Sequence, residues 1–511
     1  MKKYLFILLL PVFAISSCKK EDPSGIEIAI ENILTEDIKT TTNPHEIAPL
    51  SALVEINADE KVSVSLEIKG ESPVSYTIEE FLEVHELEIA GLYPLENEVE
   101  IRLEKENGNY ALTTIHITTD SIPEYLPEIQ VNVADKAGME PGFNFCCLGL
   151  GDGTNFRPYP MWFDSEGIIR GYIDLYSKGM HWVSPFEPLE NGNLLFGTEN
   201  VIYEYDFHGL EVNRWELNDY YHLHHDIIEK PDGNFIGAVR DDRLNTADDQ
   251  IVEVDRNTAE IVKTWDMREI LDMDRYDLVE NDYDWFHMNA IWYSESDNSL
   301  LVSGRNQCVV KVSYDNELIW ILAPHKGWGR AGVNGDGLET SDYLLTAVDS
   351  DGNPYGDSIQ MGYYEPDDFG WNWGQHAPMY LENGNLFLFD NGFNRNFTGE
   401  IQYSCGIEYD IEEENKTVKQ VWQYGKERGP EFFSAIISDV DVLSDTKNRY
   451  ITSGINFANG GYSTIAEVSY PGKELIFDAN LYYKNSLNPS GEMTWGGFDL
   501  TYRAERIKIG N

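Results

Sequence analysis

Residues 188–217 read PLENGNLLFGTENVIYEYDFHGLEVNRWEL. A turn around Gly192 leads into one strand, a second strand carries YEYD, a glycine turn follows, and a third strand ends near tryptophan. The same order returns in KPDGNFIGAV…QIVEVDRNTAEIVKTW (230–265) and SDNSLLVSGRNQCVVKVSYDNELIWIL (296–322). It returns again in ENGNLFLFDNG…GIEYDIEEENKTVKQVW (382–422) and DTKNRYITSG…AEVSYPGKELIFDA (445–479), while DSEGIIRGYI (164–173) supplies part of a sixth copy. A self-similar, all-strand unit of roughly 40–70 residues marks propeller blades, because one such unit cannot bury its apolar faces alone. The terminal stretch Tyr502–Ile507 is placed to complete the first blade and close the ring. The expectation is an all-β chain whose residues 135–511 form a six-bladed β-propeller.

Upstream of the repeats, residues 28–120 alternate apolar and polar positions, as in VSVSLEIKG (62–70) and VEIRLEKENGNYALTTIHITT (99–119). Alternation with a turn at Asn107-Gly108-Asn109 predicts a small antiparallel β-sandwich ahead of the propeller. The Pro- and acid-rich residues 121–134 read as a linker. Residues 19–27 are polar and read as a leash. Residues 1–18, MKKYLFILLLPVFAISSC, join two lysines to an apolar run of eleven residues, Leu5–Ile15, and end in Ser16-Ser17-Cys18. That run is too short for a bilayer anchor and fits a secretory signal. Small residues directly before Cys18 resemble a bacterial lipobox, which implies cleavage there, lipidation of Cys18 and a membrane tether in the periplasm or on the outer membrane. The alternative is a plain signal peptide with an incidental cysteine.

The 511 residues include 89 acidic and 37 basic side chains, a formal net charge of −52. Such acidity excludes a nucleic-acid partner and general attraction to anionic lipid. It would also repel an anionic substrate, so a function involving one needs a local cationic pocket. Aromatic residues make up 13% of the chain, enough with the aliphatics to exclude wholesale disorder. Cys146, Cys147, Cys308 and Cys405 show no CxxC or zinc-like spacing, so no metal site is expected from them.

Histidine is scarce, and three of the eleven enter expected inner strands. His225 and His376 each stand eight residues before a turn glycine, Gly233 and Gly384, and His287 stands eleven before Asn298. The equivalent position before Gly192 is Ser184, so the scaffold itself does not require histidine. Inner strands line a propeller's axis, and three imidazoles in register would meet at one mouth. Strand alternation puts His224 on the opposite side from His225, though it stays an alternative to it. Arg305 follows the strand of the His287 blade and offers a planar fork suited to oxyanions. Asn289, two residues after His287, adds an amide on the same side. Asp390 and Asn391, ending LFLFDNG, are placed to orient neighbours.

In this order the motifs HHD (224–226), HMN (287–289) with SGRNQ (303–307), and GQHAP (374–378) with FDNG (389–392) resemble the bacterial aryl-sulfate sulfotransferase family, whose members use no nucleotide sulfate donor. YRAERI (502–507) resembles the family's closing strand. The resemblance implies sulfuryl transfer from a phenolic sulfate ester to a phenolic acceptor by a ping-pong route through a sulfated histidine. By position that nucleophile is His376, with His225 or His224, His287, Asn289 and Arg305 holding the sulfuryl oxygens. It implies no nucleotide or metal cofactor. Trp371 and Trp373 are candidate walls for an aryl ring. Two other readings stay open: a non-catalytic propeller lipoprotein that binds a glycan or protein, and a sulfate-ester hydrolase. A homodimer is also left open.

Overall fold

The computed structural model describes residues 25–277, 281–400, 403–457, 461–484 and 494–510. The apolar leader, Cys18 and most of the leash lie outside the described residues. Alternation along Ser51–Ile68 buries every second side chain, from Ala52, Val54 and Ile56 through Val62, Val64 and Leu66. This strand organises the first unit. Along one edge it pairs with Val74–Ala90, and along the other first with Lys39–Thr42 and then with Glu96–Lys105, which pairs in turn with Tyr110–Thr118. All five strands are linked antiparallel through this one long strand. Register shifts between Asn57 and Val64 let the long strand bend, and both of its halves contribute to one core.

Six further sheets follow among the described residues. The first runs Glu187–Pro188, Leu194–Thr198, Val201–Tyr205 and Glu211–Glu216. The second is Tyr221–Glu229, Phe235–Asp241, Gln250–Val254 and Ile261–Asp266, and the third Met288–Ser294, Ser299–Gly304, Cys308–Ser313 and Leu318–Leu322. His376–Tyr380, Leu386–Asp390, Cys405–Glu412 and Thr417–Tyr424 make the fourth, with the short strand Thr346–Ala347 parallel to its outer edge. The fifth is Asp439–Val442, Arg449–Asn456, Tyr462–Val468 and Leu475–Tyr482. Middle strands such as Gln250–Val254 and Ser299–Gly304 are wholly buried, whereas the fourth strand of the first sheet, Glu211–Glu216, is almost wholly exposed. Each sheet is thus covered on both faces by its neighbours and meets solvent at its outer edge, a propeller-like arrangement.

In the sixth sheet Leu500–Ile507 pairs with Phe143–Gly151, followed by Phe156–Phe163 and Ile169–Tyr172. The last described strand therefore forms an edge of a sheet begun some 350 residues earlier, as the repeat predicted. The segment expected to be a linker is only partly one. Glu128–Ala134 pairs with Leu475–Tyr482 and extends the fifth sheet. Its backbone satisfies the open edge of that sheet while Ile129, Val131 and Val133 share the half-buried face, a role the Pro-rich flank concealed.

The first unit is fastened to the sixth sheet by Arg170, which has no exposed surface. Its guanidinium donates to Gly91 O and Ser72 O, pairs with Asp164 at 3.2 Å and lies 3.5 Å from the centre of the Tyr93 ring.

Candidate active site

Three inner strands lose regular pairing where the candidate histidines sit. Register shifts fall between Leu223 and Ile227, between Met288 and Ala290, and between His376 and Met379. At each, one residue without a glycine's freedom adopts a left-handed backbone: His225 (φ 55°), His287 (φ 52°) and Ala377 (φ 49°). Such bulges re-aim side chains, and strain of this kind persists only where the surroundings enforce it. The bulge also corrects the assignment based on alternation. His224 and His225 do not point to opposite sides; their rings lie 5.1 Å apart, and His225 lies 4.9 Å from His287.

His376 is 3% exposed. Its Nδ1 meets Asn391 Oδ1 at 2.7 Å and Gly374 O at 3.2 Å. Asn391 donates its amide to Ser434 O and Ile437 O, both at 2.8 Å, so its oxygen must face the imidazole. Two acceptors at Nδ1 place the proton there and leave the Nε2 lone pair free. Burial holds the His376 pKa well below the ordinary histidine value, and the positive charges of Arg305 and Arg503 press it lower. His225 is depressed likewise, first by burial and then by His287 and His224.

His225 and His287 each have their own anchor. Tyr502, from the closing strand, meets His225 Nδ1 at 2.9 Å through its hydroxyl. Asp284 accepts from His287 Nδ1 at 2.7 Å, which leaves Nε2 of His287 free. Phe286 and Gly304 precede His287 and Arg305, and a Cβ at Gly304 would come within 2.1 Å of the Phe286 ring. That close approach fixes both strands carrying the two candidate side chains. Arg305 reaches Ala435 O at 3.3 Å and has its guanidinium 5.3 Å from the centre of the Phe393 ring. Its Nε is buried without a hydrogen bond.

Asn289 differs from expectation. The bulge turns its amide toward the neighbouring strand, where Nδ2 donates to Gln375 O at 2.8 Å. Gln375 in turn donates to Ser303 Oγ, Gly304 O and Cys308 O, so both residues lock the backbone before His376 onto the third sheet. Trp371 and Trp373 are 3% and 1% exposed and belong to the core between the third and fourth sheets, so neither walls the site. The aromatic residues beside the site are instead Tyr502, Trp182, Phe156 and Trp495. Trp182 lies 5.9 Å from Tyr502 and 4.9 Å from Trp495, ring centre to ring centre, and Trp495 is exposed. Asp390 supports the loop after its strand, accepting from the Trp373 backbone and pairing with Arg395 at 2.7 Å.

The bulges separate two cavities. One, of about 420 Å³, opens past Trp182, His224 and Asp248. The other, of about 120 Å³, lies on the axis behind the histidines and is lined by Glu187, Asp226, Asp439, Asp441, Glu505 and Arg503. Arg503 pairs with Asp226 at 2.8 Å. Charge therefore differs across the bulges: five carboxylates and Arg503 line the small cavity, whereas the imidazoles and Arg305 stand with Asp284 and Asp248.

A family model described as arylsulfotransferase matches residues 128–489, and one described as an arylsulfotransferase Ig-like domain matches residues 39–120. The chain belongs to the arylsulfotransferase family. It is an enzyme of sulfuryl transfer. An arylsulfate sulfotransferase, AssT, from Escherichia coli O6:H1 is 28% identical over 539 residues, covering 85% of this arylsulfotransferase and 88% of the relative. The AssT of Lelliottia amnigena is 27% identical over 530 residues, with 84% and 86% covered. Among solved structures, the Dos1 propeller covers 90% of this chain and 93% of its own at 9% identity and a TM-score of 0.30. A putative 6-phosphogluconolactonase from Bacteroides uniformis covers 82% and 96% at 9% identity and a TM-score of 0.34. The four described cysteines of this arylsulfotransferase are buried and free. No described helix is long and apolar enough to cross a membrane.

Proposed function

We propose that this protein is an aryl-sulfate sulfotransferase that works by a ping-pong mechanism through a sulfohistidine at Nε2 of His376. The Nε2 lone pair attacks the sulfur of a phenolic sulfate ester, the sulfur–oxygen bond to the ring breaks, and the phenolate leaves. An acceptor phenol, losing its proton, then attacks the same sulfur and releases the imidazole. Arg305 and one of the His224–His225 pair donate to the sulfuryl oxygens, and His287, held at Nδ1 by Asp284, joins them when its Nε2 carries a proton, as fixed donors stabilise charge best in a site that excludes water. Those two imidazoles are the nearest groups to take up and return the phenolic proton. The observation that carries the reading is the Asn391 clamp, which fixes the one tautomer of His376 that can act as a nucleophile. The relatives named for arylsulfate sulfotransfer support the donor class.

The six sheets are read as six propeller blades closed by the terminal strand, with the histidines at one mouth. Export as a bacterial lipoprotein tethered through Cys18 belongs to the same proposal, on the strength of the leader sequence alone. The deciding experiment incubates the protein with 4-nitrophenyl sulfate, with and without phenol, and maps covalent sulfate by mass spectrometry. Nitrophenol release that depends on phenol, with 80 Da (roughly one SO3) added to His376, supports transfer. Release indifferent to phenol indicates hydrolysis, and a fully active His376→Ala variant overturns the nucleophile.

A further inference from the structure

Among the anion-holding imidazoles stand carboxylates that the proposed sulfuryl transfer gives no direct part. Asp248, in the loop between the second and third strands of its sheet, presents a carboxylate oxygen 3.2 Å from His224 Nε2. Single ligand atoms of His224, His225 and Asp248 lie within 4.8 Å of one another, and those of Asp248, Asp284 and His287 do likewise. Asp248 belongs to both groups. Neither ring nitrogen of His224 makes a hydrogen bond although both are buried, and Asp284 Oδ1 is buried and unpartnered too. Two side chains thus keep unused polar atoms close to Asp248, and His224 and Asp248 both line the cavity that opens past Trp182.

We infer that this space is a binding site for a divalent first-row transition ion such as Zn²⁺, with Asp248 as the ligand shared by its two halves. Mixed imidazole and carboxylate donors suit such an ion better than Ca²⁺ or Mg²⁺, which prefer oxygen alone. Two donors 3.2 Å apart with bonds of about 2.1 Å subtend an angle of about 100°, near tetrahedral. Two carboxylates neutralise the ion's charge. Occupation takes up the lone pairs of His224 and His287 and places the ion where the donor's sulfuryl group would lie. The ion is therefore a competitor of the substrate and takes no part in the chemistry. This consequence, unlike the binding itself, rests on the function proposed above.

The test titrates the chelator-treated full chain with Co²⁺, followed by visible absorption, and with Zn²⁺, followed by calorimetry. One ion per chain is expected, with d–d bands of a four- or five-coordinate site. Asp248→Ala and His224→Ala should each weaken Zn²⁺ at least tenfold. In 4-nitrophenyl sulfate assays Zn²⁺ should raise KM for the donor without lowering kcat, and Asp248→Ala should lose that inhibition relative to its own metal-free rate. Absence of Co²⁺ bands, or Zn²⁺ affinity unchanged in an Asp248→Ala variant with wild-type circular dichroism, overturns the site. Zn²⁺ binding in a chain that turns over no sulfate ester leaves the site standing and removes the proposed function.

Discussion

Asn391 Oδ1 accepts from His376 Nδ1 at 2.7 Å, while the Asn391 amide spends both hydrogens on backbone carbonyls of the segment before the fifth sheet. One side chain thereby sets the tautomer of the imidazole and ties it to the neighbouring sheet. Asn391→Leu should lower kcat about tenfold to hundredfold with a smaller change in KM, because the imidazole then samples the unreactive tautomer. Steady-state kinetics with 4-nitrophenyl sulfate checks this; an unchanged kcat would separate the clamp from catalysis.

Burial keeps His376 and His225 neutral well below the usual histidine range. The acid limb of kcat/KM should therefore fall well below pH 6.5, and a midpoint at or above that value contradicts it. Stability follows with a definite sign. Below pH 6.5 the unfolded chain takes up protons at these histidines and the folded chain does not, so each removes about 1.4 kcal/mol per pH unit until its folded pKa is reached. Thermal melts across pH 5–7 read this out.

The carboxylates behind the site pull the other way. Burial, partly offset by Arg503, pushes Asp439 up to about 7. Its unfolded value lies near 3.9, so its contribution to stability is complete below that and is lost as pH rises toward 7. Asp439→Asn should raise the melting temperature at pH 8 and leave it unchanged at pH 4. A loss at pH 8 would show that the ionised group pairs favourably with Arg503.

Arg170 crosses from the sixth sheet into the first unit with every direction of its fork occupied. Arg170→Ala leaves Asp164 buried without its charge and should cost about 3–5 kcal/mol. Denaturant titration should then resolve two transitions in place of one. A single transition with an unchanged midpoint would mean that other contacts hold the units together.

The net charge of −52 surrounds a small cationic spot. Screening should weaken the outer repulsion more than the short-range contacts, so kcat/KM for an aryl sulfate should rise about two- to fivefold between 10 and 200 mM NaCl. A steep fall with salt contradicts this arrangement.

The repeat in residues 188–479 made the sheets legible, because strand, turn and glycine recur at matching positions, and it placed the closing strand correctly. It could not show Glu128–Ala134 as a strand, since a single edge strand added from outside the repeat has no copy to compare with. The three histidines were legible from their distances to the turns. Period-two alternation failed at His224, His225 and Asn289 because each lies in or beside a bulge, and one extra residue reverses side-chain direction. Tyr502 and Asp284 carried no signal of their own; only ring closure and a long loop bring them to the imidazoles. For Trp371 and Trp373 the nearness to His376 in sequence was misleading, as the strand after them turns the histidine inward and leaves both indoles in the core.

Tyr502 and Arg503 stand on a strand that follows every other described strand, yet one touches His225 and the other charges the cavity behind it. A ribosome-bound chain that already displays His376 still lacks the partner of His225 and an edge strand of its sixth sheet. Catalytic competence therefore cannot accumulate blade by blade during synthesis. It arrives in one step when the two ends of the ring meet, and any truncated product is silent as well as open.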